Sequence, residues 1–123
     1  MGLDINFVRV KTIEENLAYF RKVNFLVRFF ENYFDKEIEN CENFKITKKS
    51  VEELKTRCEK VLANHKLAEE LLPTREGFFF GGLDYDEYYF EDVAQVLDTC
   101  KEVLLPEFED LEDDEHIAFC IWY

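Results

Sequence analysis

His116-Ile117-Ala118-Phe119-Cys120-Ile121-Trp122-Tyr123 is apolar at almost every position and reads as a strand buried on both faces, which belongs in the interior of a sheet. Its natural neighbour is Leu3-Asp4-Ile5-Asn6-Phe7, which alternates apolar and polar residues as a half-buried strand does and continues through Val8-Arg9-Val10. Antiparallel pairing of these two segments buries both. The fold this predicts is α+β: a small antiparallel sheet, with the N- and C-terminal strands paired, packed against three or four helices. One of those helices is long and central, and a single domain spans 1–123.

Between the two strands the pattern is mostly helical. Thr12 with Glu15 forms a capping box, which predicts a long helix from Ile13 to about Phe34. Ile13, Leu17, Phe20, Val23, Val27, Phe30 and Phe34 follow one helical face, and Phe25, Leu26, Phe29 and Tyr33 widen it beyond an ordinary amphipathic stripe. Such a helix is either wrapped on two sides or leaves part of its aromatic face to a partner. Phe44-Lys45-Ile46-Thr47 reads as a short strand at a sheet edge. Ser50 and Glu53 then cap a helix carrying Leu54, Cys58, Val61 and Leu62, with Asn64 as a left-handed stop. Leu67 and Leu71 give one or two further turns, closed by Pro73. Gly77-Phe78-Phe79-Phe80-Gly81-Gly82 lacks the spacing of a phosphate loop and reads as a short buried strand. Asp84 with Glu87 caps a third helix, whose stripe runs Tyr89, Val93, Val96, Leu97, Cys100 and Leu104 and which Pro106 ends.

Composition agrees with one core. The chain has 123 residues, 47 % of them apolar and 13 of them Phe, too hydrophobic for disorder despite its charge. Met1-Gly2-Leu3-Asp4 is not a secretory signal, Asn6 does not suit myristoylation after Gly2, and the apolar runs are too short to cross a bilayer. The expected location is cytoplasmic, without membrane attachment. Cys41, Cys58, Cys100 and Cys120 form no C-x-x-C pair and read as reduced thiols, with Cys58 and Cys100 on apolar helix stripes.

The net charge is −13, and all of it lies between Asp84 and Glu115. That stretch holds 14 acidic residues against one base, Lys101, while the rest of the chain is balanced. A neutral body with one strongly negative face repels nucleic acid and anionic membranes and attracts basic protein surfaces. Direct nucleic-acid binding is disfavoured for the same reason, since it depends on neutralising phosphates. On the third helix Glu91, Asp98 and Glu102 recur at intervals of seven and four, away from the apolar stripe. With Glu109 and Asp113 they are the expected partner-binding residues.

No metal, cofactor or catalytic group is expected. Asp84, Asp86 and Asp92 fall at positions 1, 3 and 9 of an EF-hand-like loop, but Tyr89 stands where that loop requires Gly and Gln95 where it requires Glu. Two His and four scattered Cys match no zinc spacing, and neither a nucleophile elbow nor H-E-x-x-H occurs.

Met1-Gly2-Leu3-Asp4, Tyr19-Phe20-Arg21-Lys22-Val23-Asn24, and Leu71-Leu72-Pro73-Thr74-x-x-Gly77-Phe78-Phe79-Phe80-Gly81 followed by Tyr85-Asp86-Glu87-x-Tyr89 resemble a group of small proteins of bacteria, phages and prophages. The resemblance implies an accessory protein of a mobile element or its host, and no catalytic residue. The first expectation is therefore a non-enzymatic acidic interaction protein that binds a basic, nucleic-acid-binding protein surface by charge mimicry. Two alternatives stand beside it. One is a small-ligand module with an aromatic pocket formed by Phe79, Tyr85, Tyr88 and Trp122; the other is a homo-oligomeric accessory protein.

Overall fold

The computed structural model describes residues 2–10, 15–77 and 81–123. Four antiparallel strands, β1 (Asp4–Val10), β2 (Glu15–Arg21), β3 (Phe44–Ile46) and β4 (His116–Trp122), form one sheet in the order β2-β1-β4-β3. The N- and C-terminal strands pair as the alternation and the two-sided apolar run require, with Ile5 opposite Ile121, Phe7 opposite Phe119 and Arg9 opposite Ile117. β4 is interior, and every residue from Ile117 to Ile121 is buried. β3 closes one edge, with Phe44 and Ile46 opposite Phe119 and Ile117.

The helices are α1 (Asn24–Phe34), α2 (Lys48–Ala63), α3 (Ala68–Leu71), α4 (Glu87–Thr99) and α5 (Leu105–Asp110). Their apolar faces meet the Ile5, Phe7, Ile117, Phe119 and Ile121 side of the sheet in one contiguous core. Phe30 of α1 sits at its centre, with ring centroids 6.1 Å from Phe7 and 4.8 Å from Phe119. The breadth of α1's aromatic face has a cause in its neighbours. Phe25 packs on Tyr89 of α4 at 5.4 Å, while the Arg57 guanidinium of α2 lies 5.6 Å from the Phe29 ring.

Five sequence expectations shift. The helix expected from Ile13 is a strand up to Arg21, paired with β1 as Ile5–Phe20 and Phe7–Ala18, and it becomes a helix only at Asn24. Lys22, in the left-handed region at φ 61°, turns the chain between the two. Cross-strand packing of Phe7 on Phe20, centroids 6.2 Å apart, rewards the extended form. Thr12 and Ile13 lie outside the described residues, as does the expected Phe78–Phe80 strand. The cap of α2 is Thr47 rather than Ser50: Thr47 accepts from the Ser50 amide and Ser50 from the Thr47 amide, both at 3.1 Å. Asn64 is extended at φ −147°, and its side chain accepts from the Lys66 amide to start a tight turn over His65–Leu67. α4 is capped by Asp86, not Asp84, through a 3.0 Å bond from the Tyr89 amide.

Pro106 does not end the third helix. The helical run continues from Glu87 to Asp110 through a widened π turn at Cys100–Leu104, giving the single long helix of the fold, 24 residues in all. The Leu105 amide bonds back to the Cys100 carbonyl, five residues away, so the shifted register skips one amide in the ladder. Proline, having no N–H to leave unused, fits immediately after it. Among the described residues, no helix is long and apolar enough to cross a membrane.

Candidate functional site: the acidic helix and its surroundings

The acidic stretch divides into a bound part and an unpaired part. Arg9 stands on the core side of β1, in phase with Ile5 and Phe7, and its side chain is only 10 % exposed. A cation there requires anions. Arg9 Nε donates to Glu115 at 2.9 Å, Nη2 to Glu115 at 2.7 Å, and Nη1 to Glu107 and Asp110 at 3.0 and 3.1 Å. Nη2 also donates to the Asp110 carbonyl at 3.2 Å. The hydrogen bonds to Glu115 and then Asp110 raise the pKa of Arg9, which stays charged at every accessible pH. Part of the acidic stretch is thus a clamp that fastens α5 and the following turn to the sheet. The sequence held a sign of it: an arginine in phase with apolar core positions of a strand must meet carboxylates.

The five expected partner-binding residues are all exposed. Glu91, Asp98 and Glu102 line the outer side of α4 and the π turn, and no described residue forms an ion pair with them. Glu109 differs, being paired with Lys48 from the start of α2. Asp113 lies in the turn between α5 and β4.

The described members of the aromatic quartet, Tyr85, Tyr88 and Trp122, border different surfaces. Tyr88, 68 % exposed, borders a cavity of about 280 Å³ between the β2–α1 turn and the start of α4. Tyr85 borders other hollows, and its hydroxyl accepts from the Thr74 amide at 3.2 Å. Trp122 stands half-exposed at the end of β4, across from Asp4, and borders none of these hollows. Phe79 lies outside the described residues.

The 280 Å³ cavity does gather charge of both signs. Arg21 and Lys22 stand on one wall, and Asp84, Asp86 and Asp92 on the other. Burial pushes the half-exposed Asp92 carboxyl up to about 6, with Glu91 and Asp86 adding repulsion. The three EF-hand-like aspartates border the same cavity, but among the described residues no group of three potential ligands is placed to hold a metal ion. Buried Cys58 and Cys100 face each other's elements in the core. Burial pushes both thiols up, Cys100 to about 12, which keeps them protonated near neutral pH.

No known protein family, no curated protein and no solved structure matches this chain.

Proposed function

We propose that the chain is a non-enzymatic acidic interaction protein, working in the cytoplasm as an accessory of a phage, another mobile element or its host, that covers the basic, nucleic-acid-binding surface of a partner protein. The observation that carries this reading is the exposed, unpaired row Glu91, Asp98 and Glu102, extended by Asp113. Acids that serve the fold are already matched, as Glu107, Asp110 and Glu115 are by Arg9. The row has no such internal use. Its members rise along the helix at about 10 and about 6 Å intervals, by 1.5 Å per residue. A linear series of unpaired anions along one helix offers a basic surface what a nucleic-acid backbone offers it. Glu109 contributes less than the others, because Lys48 already neutralises it.

The test is the affinity of a purified basic, nucleic-acid-binding partner recovered from host lysate, measured at low and high salt. The comparison is wild type against the variant E91Q/D98N/E102Q/E109Q/D113N. Binding should weaken steeply with salt for the wild type, and the variant should bind at least tenfold more weakly at low salt. A variant that binds as the wild type does removes the acidic row from the interaction.

A second reading, a small-ligand module, is favoured by the displaced Asp92 carboxyl in a cavity that also presents Arg21 and Lys22. A zwitterionic ligand is the class that suits walls of opposite charge. Stabilisation of the protein against heat by such a compound, lost in Asp92→Asn, would support it.

A further inference from the structure

Glu87, Phe90, Glu91 and Ala94 fall at i, i+3, i+4 and i+7 on α4 and form one stripe of that helix. His65, at the start of the tight turn after α2, stacks on Phe90 with ring centroids 3.7 Å apart and planes 10° apart. Beside this stack lies an open groove of about 520 Å³ lined by His65, Phe90, Ala94 and Tyr85 together with the carboxylates Asp86, Glu87 and Glu91. Asp86 is occupied with the Tyr89 amide. Glu87 and Glu91 are exposed carboxylates one turn apart, and no described residue supplies a cation between them. Like charges at that spacing repel, and a cation seated between them relieves the repulsion.

From this we infer that the groove seats an arginine side chain of the basic partner, an inference that rests on the acidic-surface reading above. The methylene stem and the guanidinium plane lie on the His65–Phe90 stack and Ala94, and the guanidinium donates to Glu87 and Glu91. Arginine suits the site better than lysine. Its planar head stacks on aromatic faces, is weakly hydrated and reaches two carboxylates through a fork of donors. An ammonium is compact and holds its water.

The experiment uses capped hexa-arginine and hexa-lysine peptides titrated into the isotopically labelled full chain at low salt, with affinities from calorimetry and the contact site from amide shifts. Wild type should bind hexa-arginine at least about threefold more tightly than hexa-lysine, with the largest shifts at His65 and 87–94. Ala94→Lys sets a cationic side chain in the groove and should weaken hexa-arginine about fivefold while hexa-lysine changes less. Glu91→Gln, which leaves the groove's shape alone, should also erode the preference for arginine and covers the case in which Ala94→Lys lowers the melting temperature. The pair D98N/E102Q, two turns away, should weaken both peptides equally. Equal affinities for the two peptides, or a preference for arginine that survives both groove variants while D98N/E102Q weakens binding, overturns the arginine seat and leaves the acidic row standing. If wild type binds neither peptide, the acidic-surface reading fails and the seat falls with it.

Discussion

Asp92 is the carboxylate most at odds with its surroundings. It is half-buried beside Glu91 and Asp86, and its pKa is pushed up to about 6 from an ordinary 3.8, burial being the largest cause. The folded protein therefore holds this proton more tightly than the unfolded chain does. The sign follows: the folded state is favoured when the group is protonated, and the penalty sets in as pH rises from about 4 and is complete above about 6. Because the carboxylate is half-exposed, the penalty at neutral pH is discounted to about 1 kcal/mol. Asp92→Asn should be the more stable protein at pH 7 and should lack the wild type's loss of stability between pH 4 and 6. Denaturant melts of both proteins across that range check this. Thiol chemistry gives a second test at the same scale. Cys41 is exposed and Cys58, Cys100 and Cys120 are buried, so a maleimide should label one thiol on the native chain and four after unfolding. Two or more rapid labels on the native chain would show that the core opens. The raised pKa of Asp92 is not legible in the sequence, because the cavity it borders is also lined by the β2–α1 turn, far from it in the chain. Arg9 was legible in principle, since its phase with Ile5 and Phe7 already placed a cation on the core side.

Among the elements, the strands at the two ends of the chain were the most legible and β2 the least. Leu3–Val10 and His116–Tyr123 each carry a pattern only a sheet can use, and the second lies between β1 and β3 with residues of both faces buried, Ile117, Phe119 and Ile121 on one and Ala118 and Cys120 on the other. In Glu15–Arg21 the apolar residues Leu17 and Phe20 suit a helix as well as a strand, being three apart, and they run without a break into the true helical pattern of α1. Nothing local separates the two. The decision comes from β1, whose unpaired edge is satisfied by hydrogen bonding to β2. Pro106 misled for a related reason: its usual meaning as a helix stop assumes an unbroken α-helical ladder, and the π turn before it relaxes that demand. The weight of the sheet can be measured at β4. Phe119 is fully buried and packs on Phe7 at 5.3 Å and on Phe30 at 4.8 Å, so Phe119→Ala should cost about 3–5 kcal/mol. Removal of 117–123 should abolish cooperative melting altogether, since it strips the strand between β1 and β3. A truncated chain that still melts in one sharp transition contradicts the central place given to β4.

For the molecule as a whole, the charge imbalance makes a prediction that needs no partner. The net charge of −13 is confined to Asp84–Glu115, and only part of it is answered internally. Arg9 meets Glu107, Asp110 and Glu115, and Lys48 meets Glu109. Two effects of salt then compete. Screening weakens these ion pairs, which lowers stability, and it also weakens the repulsion among the unpaired carboxylates, which raises it. The Arg9 pairs with Glu107 and Glu115 are largely shielded from solvent and respond little, whereas Glu91, Asp98, Glu102 and Asp113 are exposed and fully open to screening over about 8–10 Å. Relief of repulsion wins, so added sodium chloride should raise the wild-type melting temperature at neutral pH. In E91Q/D98N/E102Q/E109Q/D113N much of that repulsion is gone. The variant should therefore melt at or above the wild-type temperature in low salt, with a shallower dependence on salt, and the two curves should converge near 1 M, where the screening length is about 3 Å. Thermal melts of both proteins at several salt concentrations decide it. A variant that melts well below the wild type at low salt would mean that these carboxylates hold the fold together, and a surface that the fold itself requires is a poor candidate for one kept for a partner.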